Sequence, residues 1–160
     1  MIFERIRGIP IVVFPGVFHP GLFLSSPLLL DAIEDLELET GSLVLDLGTG
    51  TGICAVSIAP KGARVAATDI SPIAVRCARA NVLINSLEDR VRVFEGDLFQ
   101  PVEKQRFDLV VFNPPYYERK AERLGRIRMA WEKRAAQICA RLGCASDFQR
   151  KSSPFGFHGA

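Results

Sequence analysis

From residue 43 onward, short apolar runs alternate with longer stretches in which apolar residues recur every three or four positions. The runs are LVLDLG (43–48), ARVAATD (63–69), RVRVFEGD (90–97) and FDLVVF (107–112). Each has the length and composition of a strand; the third alternates, and the others are near-continuously apolar. Between them, Gly52–Pro60 reads as a short helix and Pro72–Asn85 as a longer one, with Ser71 as N-cap and Pro72 at the first helical position. Upstream, Ile9–Phe14 predicts a short strand and VFHPGLFLSS (17–26) a loop. Pro27–Leu38 predicts a helix capped by Ser26 and ended by Thr40, Gly41 and Ser42. Downstream, 119–142 is charged and periodic and predicts a helix, while the stretch from Gly143 shows neither period. Strands alternating with helices predict an α/β fold with a doubly wound, mostly parallel sheet. The apolar strands fit a sheet covered on both faces.

Composition narrows this picture only slightly. The 160 residues, 48% apolar and 24% charged, fit one globular domain with a core of its own and exclude a disordered or fibrous chain. The opening MIFERIRGIPIVVFPG carries an apolar stretch too short for a signal core, and no window reaches the length of a membrane span. Cys54, Cys77, Cys139 and Cys144 form no C-x-x-C, and there are two histidines, so no metal site is expected. Cys54 and Cys77 read as small buried hydrophobes in a reducing, cytoplasmic setting. Charge is unevenly placed. Residues 1–117 hold 10 Lys+Arg against 14 Asp+Glu, a balance of −4, and 118–160 hold 10 against 4, a balance of +6. That basic tail suits nucleic acid or an acidic partner; a solvated helix face explains it as well.

The chemistry gathers where strands end. LVLDLG runs into Gly48-Thr49-Gly50-Thr51-Gly52, a G-x-G-x-G turn preceded by Asp46. Glycines there allow a tight turn and close approach of backbone N–H groups to a ligand, and the helix start that follows favours a negative group. A dinucleotide fingerprint needs G-x-G-x-x-G, and its third glycine falls on Ile53. An acid before the loop repels a pyrophosphate and suits an ammonium group, which S-adenosyl-L-methionine carries without any phosphate. Asp69 ends the second strand and suits ribose hydroxyls. Asp97, in EGDLF, suits the amine of adenine, with Leu98 against the ring. Taken singly, the loop is also a fair structural turn, and Asp69 and Asp97 are fair turn caps.

FDLVVF stops at Asn113-Pro114-Pro115-Tyr116. The prolines fix φ and remove N–H donors, so the carbonyl between them lacks a local partner. With the Asn113 side-chain carbonyl it makes two acceptors for one –NH2 group, which localises that nitrogen's lone pair, while Tyr116 stacks on the planar group. By itself the sequence is equally a strand-ending turn.

In combination, GVFHPGLFLSS, VLDLGTGTG, ATDISPIAV, GDLF and FDLVVFNPPYY resemble the class I S-adenosylmethionine-dependent N-methyltransferases with an Asn-Pro-Pro-Tyr motif. The likeness is to the HemK-like, release-factor glutamine methyltransferase branch and its methyltransferase small domain relatives, over about residues 12–131. The resemblance implies cofactor contacts at Asp46, Gly48, Thr49, Gly50, Gly52, Asp69, Ile70, Asp97, Leu98 and Asn113. It implies a target-amine site at Asn113, Pro114, Pro115 and Tyr116, and an N-terminal lid in which Phe23 to Ser26 lie near the cofactor. The expected organisation is then a strand, loop and helix lid over 1–42, an α/β cofactor core over 43–117, and a basic helical tail over 118–160. Two acceptors fit a planar nitrogen: the glutamine amide of a protein loop such as a release factor's, and an exocyclic base amine of RNA or DNA. The family's sheet has seven strands, and the last three are not found after Phe112; the tail reads as shortened or replaced. This leaves an inactive cofactor-binding remnant as a further alternative.

Overall fold

The computed structural model describes residues 1–21 and 25–113. All of these fall in the first of the two units into which the chain divides, Met1–Pro114. The predicted helix at 119–142 and the missing three strands concern residues outside those described.

Strands β3 (Leu43–Leu47), β4 (Arg64–Asp69), β5 (Val91–Glu95) and β6 (Leu109–Phe112) form one sheet in the order β5-β4-β3-β6. All three pairings are parallel. The four strands predicted from residue 43 onward are therefore present, one to three residues shorter at their ends than the apolar runs. Between them lie α2 (Ile53–Ile58), continued by a 3-10 turn at Ala59–Lys61, and α3 (Pro72–Ile84). β3 is the centre: Val44, Leu45 and Leu47 are fully buried. Its continuous apolar sequence matches a strand covered on both faces. At its start, Asp108 accepts the Leu43 N–H on Oδ2 at 2.8 Å while its own N–H donates to Leu43 O at 2.8 Å, which sets β6 in register beside β3. Among the described residues no strand pairs with the outer edge of β6.

The N-terminal region differs from expectation. The predicted strand is β2 (Ile9–Val13), and it pairs antiparallel with β1 (Ile2–Ile6), which the apolar pattern does not reveal. Ile2 and Phe3 are exposed and only Glu4 and Ile6 are half-buried, so β1 leaves no clear alternation in the sequence. The hairpin turn is Arg7-Gly8, with φ of 50° and 81°, the two positive values of a tight two-residue connection. Helix α1 runs over Ser25–Glu34, starting before the predicted Ser26 cap and ending four residues short of Leu38. Pro27 therefore sits inside the first turn, where N–H groups have no helical partner and its missing donor is harmless. Lys61 Nζ donates to the Glu34 carbonyl at 2.7 Å, satisfying an end carbonyl of α1. Leu38, beyond the helix, still packs on the core.

Ser71 precedes α3 with extended backbone and Pro72 at the first turn, as predicted, but its hydroxyl makes no capping bond. Its N–H is taken by Asp69 Oδ1 instead, at 2.9 Å.

Leu45 lies in the most enclosed strand. Leu45→Ala is expected to lower the unfolding free energy by about 2–5 kcal/mol, the range for a leucine deleted from a core that cannot collapse around it. Urea denaturation checks this; a loss under about 1 kcal/mol would show that β3 is not the packing centre.

Candidate functional site

The chain adds β4 and β5 on one side of β3 and then returns to its other side as β6. Adjacent parallel strands whose connections leave in opposite directions open a crevice at their carboxyl ends. Leu47 pairs with Phe112, so the residues that follow, Gly48 and Asn113, leave the sheet side by side. A Cβ built on Gly48 would stand 3.3 Å from the Phe112 ring, which shows how closely the two exits pass.

The loop after β3 is built from backbone. Gly48, Gly50 and Gly52 have φ of 66°, 57° and 82°, a region that side chains disfavour. Their surroundings differ. A Cβ at Gly52 would lie 3.1 Å from Ala78 Cα and Cβ, so this glycine lets α3 pack under the loop. At Gly50 nothing lies within 4 Å of that direction, so the loop presents its bare backbone to open space. Thr49 N–H donates to Thr68 O at 2.9 Å, and Gly52 N–H to Thr49 O at 2.8 Å, closing the turn against β4. Helix α2 has only six residues, so the field of its start is small.

Two carboxylates hold this loop. Asp46 is buried, and its Oδ2 accepts the Thr49 hydroxyl at 2.6 Å and the Ala55 N–H at 3.2 Å. Burial pushes its carboxyl up to about 6, against the pull of those two bonds and with a further push from the charge of Asp69. Asp69, half-buried at the end of β4, accepts the Gly50 N–H on Oδ2 at 2.9 Å and the Ser71 N–H on Oδ1. Its carbonyl takes the Gly96 N–H at 3.0 Å, which draws the end of β5 to the same edge. Gly96 is required there, since a Cβ would collide with the Pro101 ring. Asp97 is exposed just beyond, and Leu98 follows with φ of 49°. Ile70, 60% exposed, is an apolar side chain at this polar edge.

Asn113 leaves β6 half-buried, and its Nδ2 donates to the Ser26 hydroxyl at 3.0 Å. Ser26 is buried at the start of α1, so the N-terminal helix reaches the tip of β6. The structure thus brings Asp46, Gly48, Thr49, Gly50, Gly52, Asp69, Ile70, Asp97, Leu98 and Asn113 to the carboxyl ends of β3, β4, β5 and β6. Pro114, Pro115 and Tyr116, and residues 22–24 of the expected lid, lie outside the described residues. Sequence reasoning missed Asn81, fully buried on α3 and bonded to the loop carbonyl of Thr51 at 2.8 Å. An asparagine four residues from Cys77 and from Asn85 in an otherwise apolar pattern was the available signal. Among the described residues no group of three His, Cys, Asp or Glu gathers as a metal site. Nor is any helix there long and apolar enough to cross a membrane.

Residues 8–138 match the model of the methyltransferase small domain family. The chain is 31% identical over 159 residues to a release factor glutamine methyltransferase of Shewanella oneidensis, covering 91% of this chain and 55% of that protein. It is 39% identical over 110 residues to a ribosomal RNA small subunit methyltransferase C of Alcanivorax borkumensis, covering 68% of this chain and 33% of that one. A T. thermophilus 16S rRNA methyltransferase solved with AdoMet and guanosine superimposes with a TM-score of 0.63 at 32% identity, over 75% of this chain and 34% of that one. The chain thus spans about a third to a half of the curated relatives it matches.

The raised Asp46 carboxyl has a measurable consequence. A group whose folded value lies above its unfolded one stabilises the fold fully below the unfolded value, and that contribution is lost as pH rises through about 6. Wild-type stability relative to Asp46→Asn is expected to fall by about 2 kcal/mol between about pH 4 and pH 7, read by urea denaturation at stepped pH. A flat difference would show that Asp46 ionises in the fold as it does in water.

Proposed function

The chain belongs to the methyltransferase small domain family, and on that footing we propose that it transfers a methyl group from S-adenosyl-L-methionine to a planar nitrogen. One observation carries this reading. The glycine loop after β3 and Asn113 after β6 leave neighbouring strands at the point where the sheet reverses direction.

S-adenosyl-L-methionine is the cofactor, and when bound it supplies an electrophilic methyl on a positive sulfur. The residues fit it. Gly50 has open space beside its backbone, Asp69 and Asp97 end neighbouring strands, and an exposed Ile70 stands beside them. In this reading Asp69 accepts ribose hydroxyls while bracing Gly50, and Ile70 and Leu98 flank the adenine ring, whose amine Asp97 receives. Gly48, Thr49 and Gly52 shape the loop. Asp46 faces the loop's own Thr49 and Ala55, so its attraction for the cofactor's ammonium acts mainly through its charge.

Asn113 orients the target nitrogen. Its Nδ2 is held by Ser26, which leaves Oδ1 as the acceptor for a target N–H. Pro114, Pro115 and Tyr116 complete this site by sequence, as a second carbonyl acceptor and a stacking ring. No strong base is required, because the target's proton can leave after transfer.

The favoured acceptor is a glutamine side-chain amide in a protein loop, as in a release factor. The likeness to the S. oneidensis protein, which spans nearly the whole chain, supports it. The second reading, an exocyclic base amine in RNA, is favoured by the likeness to a ribosomal RNA enzyme solved with guanosine and by the +6 balance of residues 118–160, 10 Lys+Arg against 4 Asp+Glu. In both, residues 1–42 act as the lid, 43–117 as the cofactor core and 118–160 as a basic tail.

Calorimetric titration with S-adenosylmethionine and S-adenosylhomocysteine is expected to show binding that Asp69→Ala weakens by about tenfold or more, since a lost charged hydrogen bond costs about 1.5–3 kcal/mol. Asn113→Ala is expected to leave that affinity within about twofold and to slow methyl transfer by about 100-fold or more. Radiolabelled methyl incorporation into a Gly-Gly-Gln loop protein and into ribosomal RNA separates the two acceptors. Cofactor binding with transfer to neither would replace the enzyme reading by that of a cofactor-binding remnant.

A further inference from the structure

The hairpin β1–β2 is not part of the four-stranded sheet, yet one edge of β2 is fully engaged by helix α3. Asn85 Nδ2 donates to Pro10 O at 2.9 Å. Asn81 Oδ1 accepts the Val12 N–H at 2.7 Å, and its Nδ2 donates to Val12 O at 2.8 Å. Cys77 Sγ reaches the same Val12 carbonyl at 3.2 Å. Four residues of helix rise about 6 Å and two residues of strand about 6.6 Å, so side chains at i and i+4 fall in step with alternate residues of a strand. Asn81 and Asn85 therefore occupy the place of a neighbouring strand's peptide groups. Pro10, which has no N–H, falls on the edge where only its carbonyl is needed.

Asn81 does one thing more. Its second Nδ2 hydrogen goes to the carbonyl of Thr51, inside the glycine loop. The orientation of this amide is determined, because Val12 N can only donate and Val12 O and Thr51 O can only accept. Asn81 is fully buried and Thr51 nearly so. Truncating the amide would take the partner from the Val12 N–H and from the Thr51 carbonyl, on two separate elements at once, and leave the Val12 carbonyl only the Cys77 thiol.

We propose that Asn81 is a positioning residue that couples the N-terminal hairpin to the cofactor loop. A docked hairpin holds the Thr51 carbonyl, and with it a loop whose three glycines give it little stiffness of its own. By reciprocity, a ligand that orders the loop tightens the hairpin by the same factor. The coupling rests on the cofactor reading of that loop.

The test measures S-adenosylhomocysteine affinity by calorimetry, and unfolding midpoints, for wild type, Asn81→Ala and Asn85→Ala. Asn85 also ties α3 to β2 but does not touch the loop. Both variants are expected to unfold earlier; Asn81→Ala is expected to bind about tenfold more weakly and Asn85→Ala within about twofold of wild type. Unchanged affinity in folded Asn81→Ala, with wild type binding normally, would overturn the coupling and spare the cofactor reading. No binding by wild type would overturn both. Should Asn81→Ala not fold, hydrogen exchange on wild type decides. Saturating ligand is expected to slow the Val12 amide by a larger factor than the Val93 amide of β5, and equal factors would overturn the proposal.

Discussion

Strand β3 is hydrogen-bonded along both edges by parallel neighbours and buried on both faces. Every other feature of the described domain follows from that enclosure. A strand with no free edge and no free face can offer chemistry only at its ends. Its beginning is closed by Asp108, which serves both the N–H and the carbonyl of Leu43. Its carboxyl end is therefore where the chain can meet a ligand, and the reversal from β5 back to β6 brings the second exit beside it.

The loop at that exit is held by charge as much as by shape. Asp46 braces it from the buried side and Asp69 from the side of β4. Burial makes Asp46 hard to ionise, and the nearby charge of Asp69 adds to that difficulty. Backbone N–H groups of Gly50, Ser71 and Ala55 and the Thr49 hydroxyl compensate. The arrangement spends the loop's side-chain contacts on its own geometry and leaves the bare backbone at Gly50 open.

The N-terminal segment joins this centre through buried apolar contacts and polar links, and through no strand pairing with the main sheet. Side-chain amides of α3 take the hairpin, and Ser26 of α1 takes the amide of Asn113. These polar links set the register of a segment that also shares the core, where Ile11, Val13, Leu30 and Ile33 are buried.

The strands of the sheet, the two crossover helices and the acids at strand ends were legible in the chain because burial on both faces leaves continuous apolar runs, and because glycine and proline mark where those runs must stop. The likeness of GVFHPGLFLSS, VLDLGTGTG and FDLVVFNPPYY to a methyltransferase family was legible for the same reason. Strand β1 was not, since Ile2 and Phe3 are exposed and a strand with only two half-buried residues imposes little alternation. Nor was the role of Asn81, whose partners Val12 and Thr51 are 69 and 30 residues away. The sequence by itself determined which residues end the strands, because local backbone chemistry is written locally. Only the tertiary structure decided that Leu47 lies beside Phe112, that Asp46 turns toward its own loop, and that one buried amide joins hairpin and loop. Those are pairings between distant segments, chosen by the burial of both partners together and encoded in neither alone.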